Sequence, residues 1–307
     1  MAILDEAPLL RSLELLKLGG YRFIVPTPTT HGIYLDRHAG ALCVRDVLGW
    51  SLPFAPDVLE LALSRLLRDA GVVAESAEGL RTTIRVASLG EDLFLHSAFP
   101  PQEADAVFFG PDTYRFASFL ADELQGAPRP DLLIDVGAGS GAGAVAAARL
   151  VAPRRLLLTD VTAKAVAFAR INLRAAGLAA EHRLGDGLDG VDEPADLIIA
   201  NPPFIAGEGG RIYRDGGDMH GARLSLDWAL AAAPRLTAGG RMLLYTGSAI
   251  IEGQDRLRQA LEAALDPGLY ALSYRELDPD IFADALTQDA YRDVERIAAV
   301  GAVITRR

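Results

Sequence analysis

From about residue 131 onward, apolar runs of strand length alternate with stretches that have helical spacing. A strand that is apolar throughout is buried on both faces, and such strands separated by helices form a parallel, doubly wound sheet. The pattern therefore predicts an α/β fold. The seven strand-like runs are 131–136, 156–160, 180–184, 195–200, 241–246, 270–274 and 297–304. The helical stretches between them are 142–151, 162–176, 221–236 and 254–265.

The first hundred residues have a different pattern, in which two helical stretches precede a hairpin. This order predicts a small α+β module that resembles a winged helix. Because the segment lacks a positive charge balance, a role in protein contact or in packing is expected ahead of contact with nucleic acid. The helical stretches are 4–18 and 57–70, and the strand-like runs of the hairpin are 80–87 and 92–97.

The length of 307 residues allows about two domains. The segment 98–106 contains prolines and acidic residues, and it separates the two patterns. We therefore predict an N-terminal recognition module over 1–104 and a larger α/β domain over 105–307.

The charge balance argues against a protein that grips many phosphates. The chain has 30 Lys and Arg against 41 Asp and Glu, a formal charge of −11. Residues 1–100 carry 9 basic and 12 acidic side chains, and residues 101–307 carry 21 and 29, so neither part is basic. A local basic patch on an acidic protein stays compatible with this count, whereas a long Arg and Lys stripe does not.

Cysteine and histidine usage predicts no metal site and a reducing compartment. The single Cys43 excludes a disulfide framework and a cysteine-based zinc site, and the five histidines lack zinc-ligand spacing. The N-terminus reads as an amphipathic helix rather than a signal peptide. The longest apolar tract, 132–152, contains Asp135, Arg149 and four glycines, so no membrane span is predicted. We expect a cytoplasmic protein, and its oligomeric state stays open.

The first predicted strand of the α/β domain ends in the glycine loop Gly137-Ala138-Gly139-Ser140-Gly141, and an alanine-rich helix follows directly. Glycines permit a tight turn and close approach of a ligand, while the helix N-terminus offers free N–H groups. In open α/β sheets this turn is the usual cofactor site. Asp160 ends the next strand, 21 residues after Gly139, where a carboxylate can accept both hydroxyls of a ribose.

Two cofactors are compatible with this loop. Gly137-Ala-Gly139-Ser-Gly-Ala142 satisfies the dinucleotide pattern with alanine in the third place. The same residues satisfy Asp-x-Gly-x-Gly-x-Gly, in which Asp135 is also required. A carboxylate at that position suits the ammonium of S-adenosylmethionine and repels a pyrophosphate. On the loop alone, both a nicotinamide dinucleotide and S-adenosylmethionine stay open.

The strand 195–200 runs directly into Asn201-Pro202-Pro203-Phe204, 60 to 65 residues after the glycine loop. With this tetrapeptide the chain resembles the class I S-adenosylmethionine-dependent methyltransferases, in particular the amino-methylating branch with an Asn-Pro-Pro-Tyr/Phe motif. The resemblance covers roughly 105–307. It implies a Rossmann-like, mostly parallel seven-stranded sheet whose last strand, within ERIAAVGAVIT, is antiparallel. An NAD(P)-dependent oxidoreductase remains a remote alternative that leaves the tetrapeptide unexplained.

Two further segments resemble the release-factor glutamine methyltransferases of the HemK type. Gly110-Pro111-Asp112-Thr113 stands in the place of their Arg-Pro-(Asp/Glu)-Thr segment, with Gly where they have Arg. The run 213–218 stands where they carry a loop with two glycines. On the loop after Phe204, three charged residues are candidates for substrate contact: Arg211, Arg214 and Asp215. The cofactor-binding residues that the resemblance implies are Thr113, Asp135, Gly137, Ala138, Gly139, Gly141, Asp160, Val161, Asp186, Gly187 and Asn201.

The tetrapeptide predicts transfer of a methyl group to a planar amine. The side-chain oxygen of Asn201 and the carbonyl of Pro202 can each accept one hydrogen of an –NH₂ group, which turns the nitrogen lone pair toward the methyl. Pro203 stiffens the turn, and the Phe204 ring can stack on the planar group. These four residues are the predicted catalytic set.

The leading acceptor is a protein glutamine or related amide, for example in a release factor. The alternative is an RNA or DNA base amine, adenine N6 or guanine N2, because the same turn serves both chemistries. That alternative needs a local arginine surface, with Arg81 and Arg85 on the hairpin as candidates. Neither a membrane nor a metal is expected as a partner.

Overall fold

The computed structural model describes residues 5–101, 103–206 and 215–307. The chain divides into two compact units. The first unit contains Met1–Arg115, Gly139–Ala142 and Lys164–Ala179, and the second contains the rest of the chain. The domain boundary at 104/105 stays a prediction.

The N-terminal segment of the first unit consists of four helices followed by two antiparallel hairpins. Helix α1 begins after Asp5, whose side chain accepts from the N–H of Ala7 and so caps the helix. The apolar side of α1 packs against α4. The elements are α1 Glu6–Leu18, α2 Pro28–Asp36, α3 Val44–Leu48, α4 Leu61–Asp69, β1 Val73–Ser76, β2 Gly79–Thr82, β3 Ile84–Leu89 and β4 Asp92–Ser97.

The hairpin prediction was partly wrong. The predicted strand 80–87 is two strands, because the chain turns at Thr83 between β2 and β3. The Thr82 hydroxyl donates to the carbonyl of Ile84 across this turn, and the N–H of Thr83 donates to Val72. β2 therefore pairs with β1, and β3 pairs with β4.

Helices α2 and α3 were not predicted. The signal for α2 was present in the sequence, because Thr27 caps the helix through its side chain and Pro28 occupies the first helical position. Helix α3 has only five residues, too few to establish an apolar period.

Of the two hairpin arginines that the nucleic-acid alternative offered as candidates for a local basic surface, Arg85 is buried and Arg81 is partly exposed. Arg85 is 4% exposed; its Nε donates to the carbonyl of Gly49, and its guanidinium lies over the Phe23 ring. Burial lowers the pKa of Arg85 to about 10. Arg81 donates to the carbonyl of Ser51 and forms an ion pair with Glu78.

A large sheet forms the centre of the second unit, with strand order β11-β12-β9-β8-β5-β6-β7 and the short β10 paired with β9. The pairs among β5 to β9 are parallel, and β12 is antiparallel to both β9 and β11. This confirms the mostly parallel, doubly wound sheet of seven main strands with an antiparallel last strand. The strands are β5 Leu132–Val136, β6 Arg155–Asp160, β7 Glu181–Leu184, β8 Ala195–Ala200, β9 Leu236–Ile251, β10 Gln254–Asp255, β11 Tyr270–Asp278 and β12 Arg296–Arg306.

The remaining helices follow the predicted alternation, with one addition. Helix α5 begins in the Gly-Pro-Asp-Thr segment and runs on to Leu124, and it was not predicted. Two 3₁₀ turns, Ala283–Thr287 and Asp289–Tyr291, occupy the connection between β11 and β12. The helices are α5 Pro111–Leu124, α6 Ala142–Val151, α7 Ala163–Ala175, α8 Arg223–Ala232 and α9 Arg256–Ala264.

Strand β9 is much longer than the predicted 241–246. It pairs with β8 on one side, and over residues 241–250 with β12 on the other. The pair Gly239-Gly240 has the local pattern of a turn, but both residues lie within β9. The strand therefore begins earlier than the apolar run indicates. Among the described residues, no helix combines the length and apolar character needed to cross a membrane.

Candidate active site

The glycine loop and the Asn-Pro-Pro-Phe turn leave neighbouring parallel strands at the same level. Strand β5 pairs with β6 on one side and with β8 on the other, so the strand order reverses there. The last residues of the two strands, Val136 and Ala200, are partners in the register, and Val136 also pairs with Thr159 of β6. Ligands of open α/β sheets bind at the carboxyl ends of strands at this reversal. The predicted motifs therefore begin at one sheet edge.

Two features require a glycine at position 137, the start of the loop: the backbone conformation and the close approach of a side chain from α8. The φ of Gly137 is +65°, in the left-handed region that favours glycine. A Cβ built on Gly137 would lie 2.4 Å from the ring of Trp228 on α8. The same indole lies against Gly187, where a Cβ would be 2.9 Å from Nε1 of Trp228. Trp228 thus packs under both predicted glycine positions.

Thr159 ties two of the predicted cofactor segments to β6. Its carbonyl accepts from the N–H of Ala138 at 2.9 Å, and its buried hydroxyl donates to the carbonyl of Gly187 at 2.7 Å. Neither Thr159 nor Trp228 was predicted as a site residue. A polar residue inside an otherwise apolar strand was the available signal for Thr159, whereas Trp228 carried none.

Asp135 is 2% exposed, and its Oδ2 accepts from the N–H of Ala144 near the start of α6 at 2.8 Å. Burial first, and the charge of Asp160 to a smaller extent, raise the pKa of Asp135 to about 8, although the hydrogen bond from Ala144 lowers it. A buried carboxylate with another carboxylate near it is ionised more easily when a cation binds beside it. This chemistry fits the ammonium of S-adenosylmethionine.

Asp160 is held at the end of β6 by local hydrogen bonds. Its Oδ1 accepts from the N–H of Thr162 at 2.9 Å and from the Thr162 hydroxyl, while its carbonyl accepts from Gly185. Val161, directly after it, is 50% exposed. An exposed apolar side chain beside a fixed carboxylate suits a nucleoside, because the ring and the ribose hydroxyls need different partners.

The Asp186-Gly187 segment follows Gly185 in a tight turn, in which the N–H of Asp189 donates to the carbonyl of Asp186. The bond from Gly185 to Asp160 and the bond from Thr159 to Gly187 connect this turn to the end of β6. The structure therefore brings the second and third predicted motifs together. Contact of Asp186 with an adenine stays a prediction.

Other predicted cofactor residues belong to the first unit. Gly139 and Gly141 both have positive φ, and a Cβ on Gly141 would meet Leu173 of α7 at 2.6 Å. Thr113 lies in the first turn of α5, where its Oγ1 accepts from the N–H of Gly110. The hydroxyl of its neighbour Tyr114 accepts from the N–H of Val25. Contact of Thr113 with a cofactor stays a prediction.

The catalytic turn follows β8 directly. Asn201 and Pro203 are partly exposed, while Pro202 is buried. The Phe204 ring is 7% exposed. It lies against Gly247 of β9, where a Cβ would be 2.4 Å from the ring, and it meets the Phe282 ring edge-on at 5.6 Å between centroids. Stacking of Phe204 on a substrate stays a prediction.

Two glycines bring the following chain against the backbone of Phe204. A Cβ on Gly216 would lie 2.8 Å from the Cα of Phe204, and one on Gly221 would lie 2.3 Å from its carbonyl oxygen. The backbone of Asp215 forms an isolated parallel β-bridge with that of Ile205, and the Asp215 side chain accepts from the N–H of Gly217. The candidates Arg211 and Arg214 lie outside the described residues.

The residues that are described offer no group of three or more His, Cys, Asp or Glu side chains arranged to hold a metal ion. The site instead combines carboxylates, backbone N–H groups and glycine turns at one sheet edge.

The family model for the methyltransferase small domain matches residues 105–261. The chain belongs to this family. The predictions of a methyltransferase and of S-adenosylmethionine as its cofactor are confirmed for the family, and the nicotinamide alternative is set aside.

Two enzymes with different acceptors are among the relatives of this family member. The release factor glutamine methyltransferase of Bordetella pertussis is 33% identical over 152 residues, which cover 48% of this chain and 55% of that enzyme. The ribosomal RNA small subunit methyltransferase C of Pseudomonas aeruginosa is 40% identical over 134 residues, which cover 44% and 37%. The matches thus span about half or less of each relative.

Solved structures share the fold of this family member at low identity. The tRNA methyltransferase of M. jannaschii superposes with a TM-score of 0.50 at 14% identity, covering 73% of this chain and 57% of that one. Trm5b from Pyrococcus abyssi superposes with the same score and identity, covering 76% and 62%. At such identities the likeness concerns the fold alone.

Proposed function

We propose that this chain transfers the methyl group of S-adenosylmethionine to the nitrogen of a planar –NH₂ group. The observation that carries the proposal is the register of Val136 with Ala200, since it starts the glycine loop and the Asn201 turn side by side at one sheet edge. A methyl donor in the loop and an acceptor at the turn would then be neighbours. Proximity of this kind supplies much of the rate of a methyl transfer.

The cofactor would be held by the groups that the structure fixes around the loop. Asp135 supplies negative charge for its ammonium, and Asp160 supplies acceptors for the ribose hydroxyls. When bound, S-adenosylmethionine supplies an electrophilic methyl group. The chain needs no strong base for this step, because the acceptor nitrogen loses its proton after it has gained the methyl.

Asn201 and Pro202 orient the acceptor in this proposal. The side-chain oxygen of Asn201 and the carbonyl of Pro202 each accept one N–H of the acceptor, which stabilises the positive charge that develops on its nitrogen. Pro202 has no N–H of its own to offer, and Pro203 fixes the turn.

A protein glutamine or related amide is the favoured acceptor. The chain is acidic, with a formal charge of −11, and the hairpin arginines are buried or paired. Repulsion from a nucleic-acid backbone would therefore oppose binding. The Bordetella relative, by its name, methylates a glutamine of a release factor.

A nucleic-acid base amine is the second candidate. The observation in its favour is the 40% identity to a ribosomal RNA methyltransferase over 134 residues. An exposed amine of guanine or adenine presents the same two hydrogens to Asn201 and Pro202 as an amide does.

The experiment is transfer of radiolabelled methyl from S-adenosylmethionine into an extract, which is then separated into protein, nucleic acid and small molecules. The wild-type chain runs beside Asn201→Ala, and cofactor affinity is measured for both by calorimetry. We expect label in protein, a loss of about 10²-fold or more in the variant, and little change in affinity. Label in nucleic acid would favour the second candidate. Equal labelling by both proteins would refute the mechanism.

A further inference from the structure

The hydroxyl of Tyr291 joins two backbone groups that follow the catalytic turn. Tyr291 is 1% exposed, and it closes the second 3₁₀ turn between β11 and β12. Its oxygen accepts from the N–H of Ala206 at 2.6 Å and donates to the carbonyl of His220 at 3.2 Å. Ala206 lies two residues after Phe204, and His220 lies shortly before α8. One buried hydroxyl thus fixes both positions.

His220 is held by a second contact from the same connection. Its Nε2 lies 3.1 Å from Oδ1 of Asp293, two residues after Tyr291. His220 and its neighbour Met219 both have left-handed φ angles, +54° and +59°, which are uncommon outside glycine. Such conformations persist where the surrounding structure fixes them. Tyr291 and Asp293 contact His220 here, in addition to the backbone hydrogen bonds of the turn itself.

A third residue of the connection between β11 and β12, Phe282, contacts the catalytic turn itself. Its φ is +58° and its ψ is 43°, again left-handed in a bulky residue. Its ring meets the Phe204 ring edge-on, with an angle of 69° between the planes. Since Phe204 also lies against Gly247, the Phe204 ring is held from two sides.

We infer that Tyr291 and Phe282 are positioning residues for the Asn-Pro-Pro-Phe turn, and that they act through Ala206 and Phe204. The inference rests on the proposed function, because a turn is positioned only with respect to a reaction. Neither residue is assigned contact with substrate or cofactor. Loss of the Tyr291 bridge would let the chain after Phe204 shift, and a small shift of the acceptor groups is enough to slow transfer strongly.

Tyr291→Phe is the sharpest variant, because it removes both hydrogen bonds and keeps the ring in the core. Tyr274→Phe is the matched control. Tyr274 is a partly buried tyrosine on β11, and its hydroxyl donates to Asp255 at 2.7 Å rather than to the catalytic turn. Both variants therefore remove the hydrogen bonding of a tyrosine hydroxyl and keep its ring. Phe282→Leu tests the ring contact separately.

Three quantities are measured on the full chain: cofactor affinity, the rate of label transfer over a range of acceptor concentrations, and hydrogen exchange of the Ala206 amide. For Tyr291→Phe we expect kcat to fall about 10- to 100-fold, cofactor affinity to change less than about twofold, and the Ala206 amide to exchange faster. Phe282→Leu should lower kcat with affinity retained. Tyr274→Phe should keep wild-type kcat and Ala206 exchange even where its thermal stability falls.

Wild-type kcat in Tyr291→Phe, or an equal loss in Tyr274→Phe, would overturn the inference. If the wild-type chain transfers no label to any fraction, the proposed function has failed instead. The positioning role is then judged on exchange: an Ala206 amide as protected in Tyr291→Phe as in the wild type overturns it, and faster exchange confined to that variant supports the bridge.

Discussion

The side-chain amide of Asn172 pairs with both backbone polar groups of Leu95. Its Oδ1 accepts from the Leu95 N–H at 2.8 Å, and its Nδ2 donates to the Leu95 carbonyl at 3.0 Å. Nδ2 also donates to the carbonyl of Ser140 in the glycine loop at 2.9 Å. Asn172 is fully buried on α7. Within the first unit, a strand of the N-terminal hairpins and part of the glycine loop therefore share one side chain as hydrogen-bond partner.

Asn172→Leu should destabilise the protein by about 3 kcal/mol, because it leaves the Leu95 N–H and two carbonyls buried without this partner. Urea denaturation measures the change. Arg174→Ala on the same helix is the control: it removes an exposed ion pair with Glu6 and should cost less than about 1 kcal/mol. Equal losses in the two variants would contradict the role assigned to Asn172.

Gly137→Ala and Gly139→Ala separate backbone strain from packing. Both positions have positive φ, so each substitution should cost about 1 kcal/mol for conformation. Only Gly137 faces Trp228, whereas no atom lies within 4 Å of a Cβ at Gly139. We expect the Gly137→Ala loss to exceed the Gly139→Ala loss by about 1–3 kcal/mol in thermal or urea unfolding.

The double variant Gly137→Ala/Trp228→Leu tests this clash directly. If the indole causes the extra cost, adding Trp228→Leu should recover part of it, with a coupling energy of about 1 kcal/mol or more. Additive effects of the two substitutions would show that the indole ring moves aside at little cost in free energy.

The stability of the ligand-free protein should depend on the proton of Asp135. Its pKa is about 8 in the folded chain and near 4 when exposed, so the folded state holds a proton that the unfolded state has lost between these pH values. The contribution of this proton to the free energy of unfolding is fully present below about pH 4. It falls as the pH rises toward 8, by up to about 1.4 kcal/mol per pH unit.

Asp135→Asn should flatten this dependence, since an amide oxygen can still accept from Ala144 and carries no charge. Urea unfolding at pH 5 and pH 8 measures the difference. We expect the variant to gain stability relative to the wild type at pH 8 and to lose cofactor affinity. Asp131→Asn, at an exposed position just before β5, is the control. An unchanged pH profile in Asp135→Asn would disprove the assignment of the proton.

Gly247→Ala should displace the Phe204 ring, because the added Cβ would lie 2.4 Å from it. We expect methyl transfer to fall about 10²-fold and cofactor affinity to stay near the wild-type value, since Gly247 lies against Phe204, which the proposed function places at the acceptor. Label transfer and calorimetry measure the two quantities. Gly32→Ala is the control, as nothing lies within 4 Å of a Cβ there. Full activity in Gly247→Ala would show that the Phe204 position is unimportant.

The local sequence pattern predicts much of the fold of the second unit. Strand β8 and helix α6 begin and end where the sequence predicts, at 195–200 and 142–151. A fully apolar run followed by Pro-Pro, or glycines followed by alanines, leaves few alternatives for the backbone. The candidate motifs next to these elements were found from the same kind of local pattern. The parallel topology then brings the strand ends to one sheet edge.

The sequence by itself thus determined the α/β class, the parallel alternation and the two motifs that begin at Gly137 and Asn201. Only the tertiary structure decided which residues hold them, among them Thr159, Trp228 and Tyr291. It also decided that Arg85 is buried. The physical reason is distance along the chain: Tyr291 bonds to Ala206 across 85 residues and Asn172 to Leu95 across 77. Such contacts arise when the packed elements meet, and no local period or spacing encodes them.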